Sequence, residues 1–123
     1  MRMDLDDFQL MSLCAILTRA KAAAIAADPG DANDGGTSNL DTPAFRVEGA
    51  SDKKIQTAAK LAGVNVTDFK WLGGKRWYWI TGLTHGQGDR RSAMMQAAQL
   101  VLDEAAKTRE LNGLHACGYM QAD

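Results

Sequence analysis

Four side chains in this sequence could act as soft metal ligands or as thiol and imidazole catalysts: Cys14, His85, His115 and Cys117. Only His115 and Cys117 are close in the chain, and a His-x-Cys pair is not a zinc-knuckle spacing. A nucleophilic pair can be drawn between Cys117 and His85, but any chain with both residue types permits that drawing. No Ser, His and Asp spacing stands out, and most carboxylates lie in the first 52 residues, apart from the aromatic part of the chain. The stretch "DPGDANDGGTSNLDTP" puts Asp31, Asn33 and Gly36 at positions 1, 3 and 6 of a calcium loop. Gly35 and Thr42 then occupy positions 5 and 12, so the carboxylate ligands of those positions are missing. The expectation is no catalytic residue, no metal and no cofactor.

Stacking and charge offer more. "FKWLGGKRWYWI", Phe69 to Ile80, holds all three tryptophans of the chain together with Lys70, Lys75, Arg76 and Tyr78. Such a block is either core or a surface that stacks on something flat and negative. The net charge of −1 conceals an asymmetry: residues 1–52 carry nine acids and four bases, residues 53–91 eight bases and two acids, and residues 92–123 two bases and four acids. The basic block coincides with the tryptophans and can make a local positive field. Further on, "HGQGDRRSAMMQAAQ" sets Gly86, Gly88, Arg90 and Arg91 at the start of the last helical segment. A helix N-terminus offers free N–H groups and a positive dipole end to a phosphate. The alternative is a loop capped by Asp89 with two solvated arginines. No Gly-Lys-Ser/Thr closes the segment, so it is not a P-loop.

These groups need elements to position them. Asp4 to about Ala27 reads as a helix, with Asp4 as N-cap and a stripe of Leu5, Phe8, Met11, Cys14 or Ala15, and Ile16 or Leu17. Its end, "AKAAAIAAD", has good propensity and little to pack. Residues 28–43 read as a mobile Gly/Asp/Asn-rich loop. "AFRVE" alternates as a strand. "SDKKIQTAAKLAG" reads as a helix capped by Ser51, with Ile55, Ala58, Ala59 and Ala62 inward and Gly63 just past its end. "VNVTDFKWL" and "RWYWITGLT" read as a hairpin about Gly73-Gly74. A helix over 89–111, with Met94, Ala97, Ala98, Val101 and Ala105 inward, stops at Asn112-Gly113, and "LHACGYM" closes as a strand.

The domain plan is therefore an N-terminal helix (1–27), a loop (28–43) and an α+β domain (44–123). In that domain the order strand, helix, strand, strand, helix, strand is the ferredoxin-like βαββαβ plan with a four-stranded antiparallel sheet. A three-residue hairpin loop, Gly73-Gly74-Lys75, groups Phe69 and Trp71 with Trp77 and Trp79. A two-residue loop instead groups Phe69, Trp71, Tyr78 and Ile80, and leaves Lys70 with Trp77 and Trp79. One step of register decides between core and stacking platform. The N-terminal helix laid on the open sheet face would also bury the tryptophans.

On this order, with "KRWYWITG" on the third strand, the domain resembles the RNA-recognition motif. Lys75, Trp77, Trp79 and Ile80 match the third-strand signature; Arg76, Tyr78 and Gly82 depart from it. Phe45 in "AFRVEG" stands where the first-strand aromatic belongs. The resemblance implies that Phe45, Trp77 and Trp79 stack on bases and that Lys75 meets phosphate. The glycine-basic start of the last helix is similar to that of double-stranded RNA-binding domains, which implies phosphate contacts at Arg90 and Arg91. In general style the chain resembles the small accessory proteins of phages and mobile elements, among them anti-CRISPR inhibitors.

The expected binding set is Phe45, Lys70, Lys75, Arg76, Trp77, Trp79, Arg90 and Arg91, with Lys53, Lys54 and Lys60 extending it. The expected partner is RNA or DNA, or a protein that handles nucleic acid. The rival class is a protein-binding inhibitor or adaptor, because hot spots also favour Trp, Tyr and Arg. A homodimer through the N-terminal helix or a sheet face is compatible with both. Two distant cysteines, an acidic start and an apolar run, "LMSLCAIL", too short to span a bilayer lead to the expectation of a cytoplasmic protein without a membrane segment.

Overall fold

Ser51 and Gly63 do what their types predict. The Ser51 side chain accepts a hydrogen bond from the Lys54 N–H at 3.2 Å, and Gly63 adopts a left-handed φ of 76°. The Gly63 and Val64 N–H groups then return to the Lys60 and Ala59 carbonyls, which closes the helix end. Between these caps Ile55, Ala58, Ala59 and Ala62 are buried. The computed structural model describes residues 5–28, 42–71, 74–81 and 88–119. They form α1 (Leu5–Ala27), β1 (Thr42–Val47), α2 (Asp52–Ala62), β2 (Asn65–Trp71), β3 (Lys75–Thr81), α3 (Gly88–Lys107) and β4 (Leu114–Tyr119). Most of the expected loop over 28–43 lies outside the described residues, while Thr42 and Pro43 open β1. A proline at the start of a strand removes only one ladder donor.

The described residues form an α+β fold with three helices and a four-stranded antiparallel sheet in the order β2-β3-β1-β4. β1 and β2 are thus parallel to one another with β3 between them, and α2 joins them. β3 and β4 are likewise parallel around β1, and α3 joins them. One face of the sheet, with Phe45, Val47, Val66, Tyr78, Ile80 and Leu114, shares a single core with all three helices.

α3 ends at Lys107, before the Asn112-Gly113 signal. Arg109 takes the left-handed position at φ 59°, and the Glu110 N–H returns to the Ala105 carbonyl at 3.0 Å. Leu111 is then free to turn inward, where it is buried. The buried arc of α3 is wider than expected: Met95, Gln99 and Leu102 are buried with Met94, Ala98 and Ala105, while Ala97 and Val101 are only half-buried. A helix covered by a sheet on one side and by α1 on another buries more than one stripe.

α1 overturns two expectations. It packs against α2 and α3, on the helix side of the sheet. Its buried residues are Leu13, Ile16, Leu17, Ala20 and Ala24, whereas Phe8 and Met11 are 58% and 57% exposed. Apolar residues occur on every side of the helix, so periodicity alone did not choose its inner side. The alanines expected to pack little are what let α1 approach two other helices closely. Phe8–Ala27 is also long and apolar enough to cross a membrane by length and composition, a span that the short run Leu10–Leu17 does not reach. Polar contacts hold α1 on both flanks: Lys54 Nζ donates to Gln9 Oε1 at 2.6 Å, Lys21 Nζ donates to the Gly63 carbonyl at 2.9 Å, and Arg19 forms a two-pronged ion pair with Glu110 at 2.6 and 2.8 Å.

Candidate functional site

The β2–β3 register settles how the aromatic hairpin divides. Phe69 stands opposite Trp77, Thr67 opposite Trp79, and Trp71 opposite Lys75. The connection is therefore three residues, Leu72 to Gly74, with Gly74 left-handed at φ 79° before β3. The loop lies one residue earlier than Gly73-Gly74-Lys75, which shifts each pairing partner by two residues, so parity is that of the three-residue alternative. Phe69, Trp77 and Trp79 share one face, and Lys70, Arg76 and Tyr78 the other.

The tryptophan face is not the helix-packed face. Tyr78 and Ile80 point at the helices; Trp77 and Trp79 point away. On this second face Ala44 lies opposite both Trp79 and Cys117, and Arg46 opposite His115. Trp77 is nevertheless only 6% exposed, and Trp79 is half-buried. Phe69 and Trp79 form a diagonal cross-strand pair with ring centroids 4.4 Å apart and planes tilted by 32°. The surface is thus a half-buried aromatic ridge with Trp77 beneath it.

The expected binding residues separate. Lys75, Trp77 and Trp79 stay together on the second face. Phe45 does not join them: it is fully buried on the helix side, stacked on Tyr78 at 5.7 Å, and no base can reach it. Alternation along β1 points Phe45 inward with Val47, which the first-strand resemblance alone did not reveal. Lys70 and Arg76 are exposed but lie across the sheet from the tryptophans, and Arg76 pairs with Asp68 at 3.6 Å. Arg90 and Arg91 fall in the first turn of α3, as expected; Gly86 and His85 lie outside the described residues.

The structure adds a site that residue spacing did not reveal. An open groove of about 790 Å³ runs from Trp77 across β4 to the end of α3, and Glu48, Lys107, Arg109, His115 and Cys117 line it. Glu48 Oε1 accepts from Arg46 Nη1 and from His115 Nε2, each at 3.2 Å. The Arg46 bond first, and the His115 bond second, hold the Glu48 carboxyl below the usual carboxylate range. Its N–H donates to the Gly113 carbonyl at 2.9 Å, so this cluster sits where β1 ends and β4 begins. Lys107 and Arg109 add positive charge opposite Trp77. The β1–β4 register that gathers these residues spans about seventy positions and leaves no local signal.

No protein-family model, curated protein or solved structure matches this chain.

Among the described residues no three His, Cys, Asp or Glu side chains gather where a metal ion could be held. Cys14 lies on α1 and Cys117 on β4, on separate elements. What the second face offers is an aromatic ridge with Lys75 on the same face, and a groove beside it that Lys107 and Arg109 line.

Proposed function

We propose that this chain is a small nucleic-acid-binding accessory protein, without a reaction of its own, built on a ferredoxin-like plan. The interleaving of two βαβ units in the order β2-β3-β1-β4 supports that plan. The observation that carries the functional reading is the hairpin register. It leaves Phe69 and Trp79 as a half-buried ridge on the sheet face away from the helices, flanked by Lys75. Bases stack on such a ridge, and the groove beyond Trp77, with Lys107 and Arg109, accepts the backbone phosphates that follow. The start of α3, with Arg90 and Arg91, is a second phosphate contact.

The test is titration with fluorescently labelled single-stranded and duplex DNA and RNA at low salt, where electrostatic binding is strongest. Binding is expected to weaken broadly in Arg90→Ala with Arg91→Ala, with a shallower salt dependence. Trp79→Ala is expected to lose roughly 1–3 kcal/mol per stacked base at an almost unchanged salt slope. Absence of binding to all four nucleic acids ends the reading.

One observation favours a second reading. Trp77, at 6% exposure, offers an edge rather than a full stacking surface. A partly sunken aromatic ridge rimmed by charge suits a protein partner as well. On that reading the chain is a protein-binding inhibitor or adaptor of the phage or mobile-element kind, anti-CRISPR inhibitors being an example.

A further inference from the structure

β2 is an edge strand: among the described residues its one sheet neighbour is β3. Two contacts give the direction of its backbone groups. Thr81 Oγ1 on β3 donates to the Asn65 carbonyl at 3.4 Å, so that carbonyl faces β3. Gln56 Nε2 on α2 reaches the Val66 carbonyl at 3.5 Å, so that one faces away from β3. Along an antiparallel strand the N–H and C=O of one residue point the same way, and successive residues alternate. Val66, Asp68 and Lys70 therefore present their backbone groups outward.

We infer that this edge is an interface for a second copy of the chain, paired antiparallel about a two-fold axis through Phe69. That register sets Asp68 opposite the second copy's Lys70, and Lys70 opposite the second copy's Asp68. Both are pairs that exchange two backbone hydrogen bonds, and both carry opposite charges on the same face. Phe69 then meets its own copy in the closer, non-hydrogen-bonded pair. Centring on Asp68 or on Lys70 instead opposes like charges, and centring on Thr67 pairs no charges at all. Charges on an edge strand ordinarily keep edges apart; "Asp-Phe-Lys" read antiparallel against itself is complementary. All three residues are accessible, Asp68 and Lys70 being exposed and Phe69 half-buried. The pairing is isologous, so it closes at two copies and joins the two sheets into one of eight strands. It also abuts the two Phe69–Trp79 ridges, which doubles the length of the aromatic face. The pairing is independent of which ligand that face takes.

Sedimentation velocity between about 5 and 500 μM, a range that reaches weak, small interfaces, reads the mass. The weight-average mass is expected to rise toward twice 13.3 kDa. Asp68→Lys and Lys70→Asp are each expected to remain monomeric throughout. Mixed in equal amounts they are expected to recover the dimer, because each now opposes the other's charges; an effect confined to one chain cannot produce that recovery. Should either variant fail to fold, amide hydrogen exchange on the unaltered protein decides. Protection of the Asp68 and Lys70 N–H groups is expected to increase with concentration, while that of Thr67 stays constant. A single 13.3 kDa species at the highest concentration, or a dimer indifferent to the swaps and to mixing, or concentration-independent exchange at Asp68 and Lys70, overturns the inference.

Discussion

The Tyr78 hydroxyl donates to Asp52 Oδ1 at 2.8 Å, tying the middle of β3 to the first residue of α2. Burial first, and the Asp52 carboxylate second, push its pKa up to about 12. The folded state thus holds this proton more tightly than the unfolded chain, whose tyrosines titrate near 10. The stabilisation is fully present below about pH 10 and is lost as pH rises toward about 12. Tyr78→Phe is expected to cost about 1 kcal/mol at pH 8 and to flatten the alkaline decline, measured by urea unfolding across pH. The two tryptophans on the opposite face separate in the same assay. Trp77→Ala is expected to cost roughly 3–5 kcal/mol, as truncation of a buried tryptophan does, and the half-buried Trp79→Ala distinctly less. Single residues were legible where one local rule governed them. The alternation of Trp77 and Trp79 against Tyr78 was legible; the inward direction of Phe45 was not, because its aromatic type suits base stacking and core alike, and the core claims it.

Among the elements, α2 is the one that sequence describes most fully, because its caps and its apolar stripe are all local. Gly63 shows why the cap favours glycine. Its φ of 76° is left-handed, and a Cβ there would lie 2.9 Å from Lys21 Nζ. Gly63→Ala is expected to cost about 1–2 kcal/mol from backbone strain alone. A further loss comes from displacing the Lys21 bond, and that part should vanish in a Lys21→Ala background. A double-mutant cycle by thermal unfolding isolates it. The hairpin was half legible. Adjacent glycines gave the turn, but two loop lengths remained open, and only pairing along the whole of β2 and β3 chooses between them. The groove was illegible, since its parts come from β1, β3, β4 and the end of α3.

For the molecule as a whole, element order and sheet content could be read from the chain, whereas the seat of α1 could not. A helix with apolar residues on every side has no marked inner side, and its partners lie far along the sequence. Its exposed line of Phe8, Met11 and Ile25 is the residue of that choice. The thiols and imidazoles give a further prediction at this scale. The melting temperature is expected to be the same with and without a strong chelator; one zinc per chain by elemental analysis, together with unfolding on chelation, would contradict it.

The ion pair between Arg19 and Glu110 bridges 91 positions of sequence, and α1 buries its inner side only against helices made after it. During synthesis, therefore, α1 emerges before the helices that shelter it and waits. At about 5–20 residues per second, the ninety residues up to Glu110 take roughly 5–18 s. Through that interval Leu13, Ile16 and Leu17 lack the full shelter that α2 and α3 together give, and the nascent chain depends on holding factors or on its own solubility. A variant that weakens α3 thus harms yield through α1, so soluble expression should fall further than equilibrium stability does.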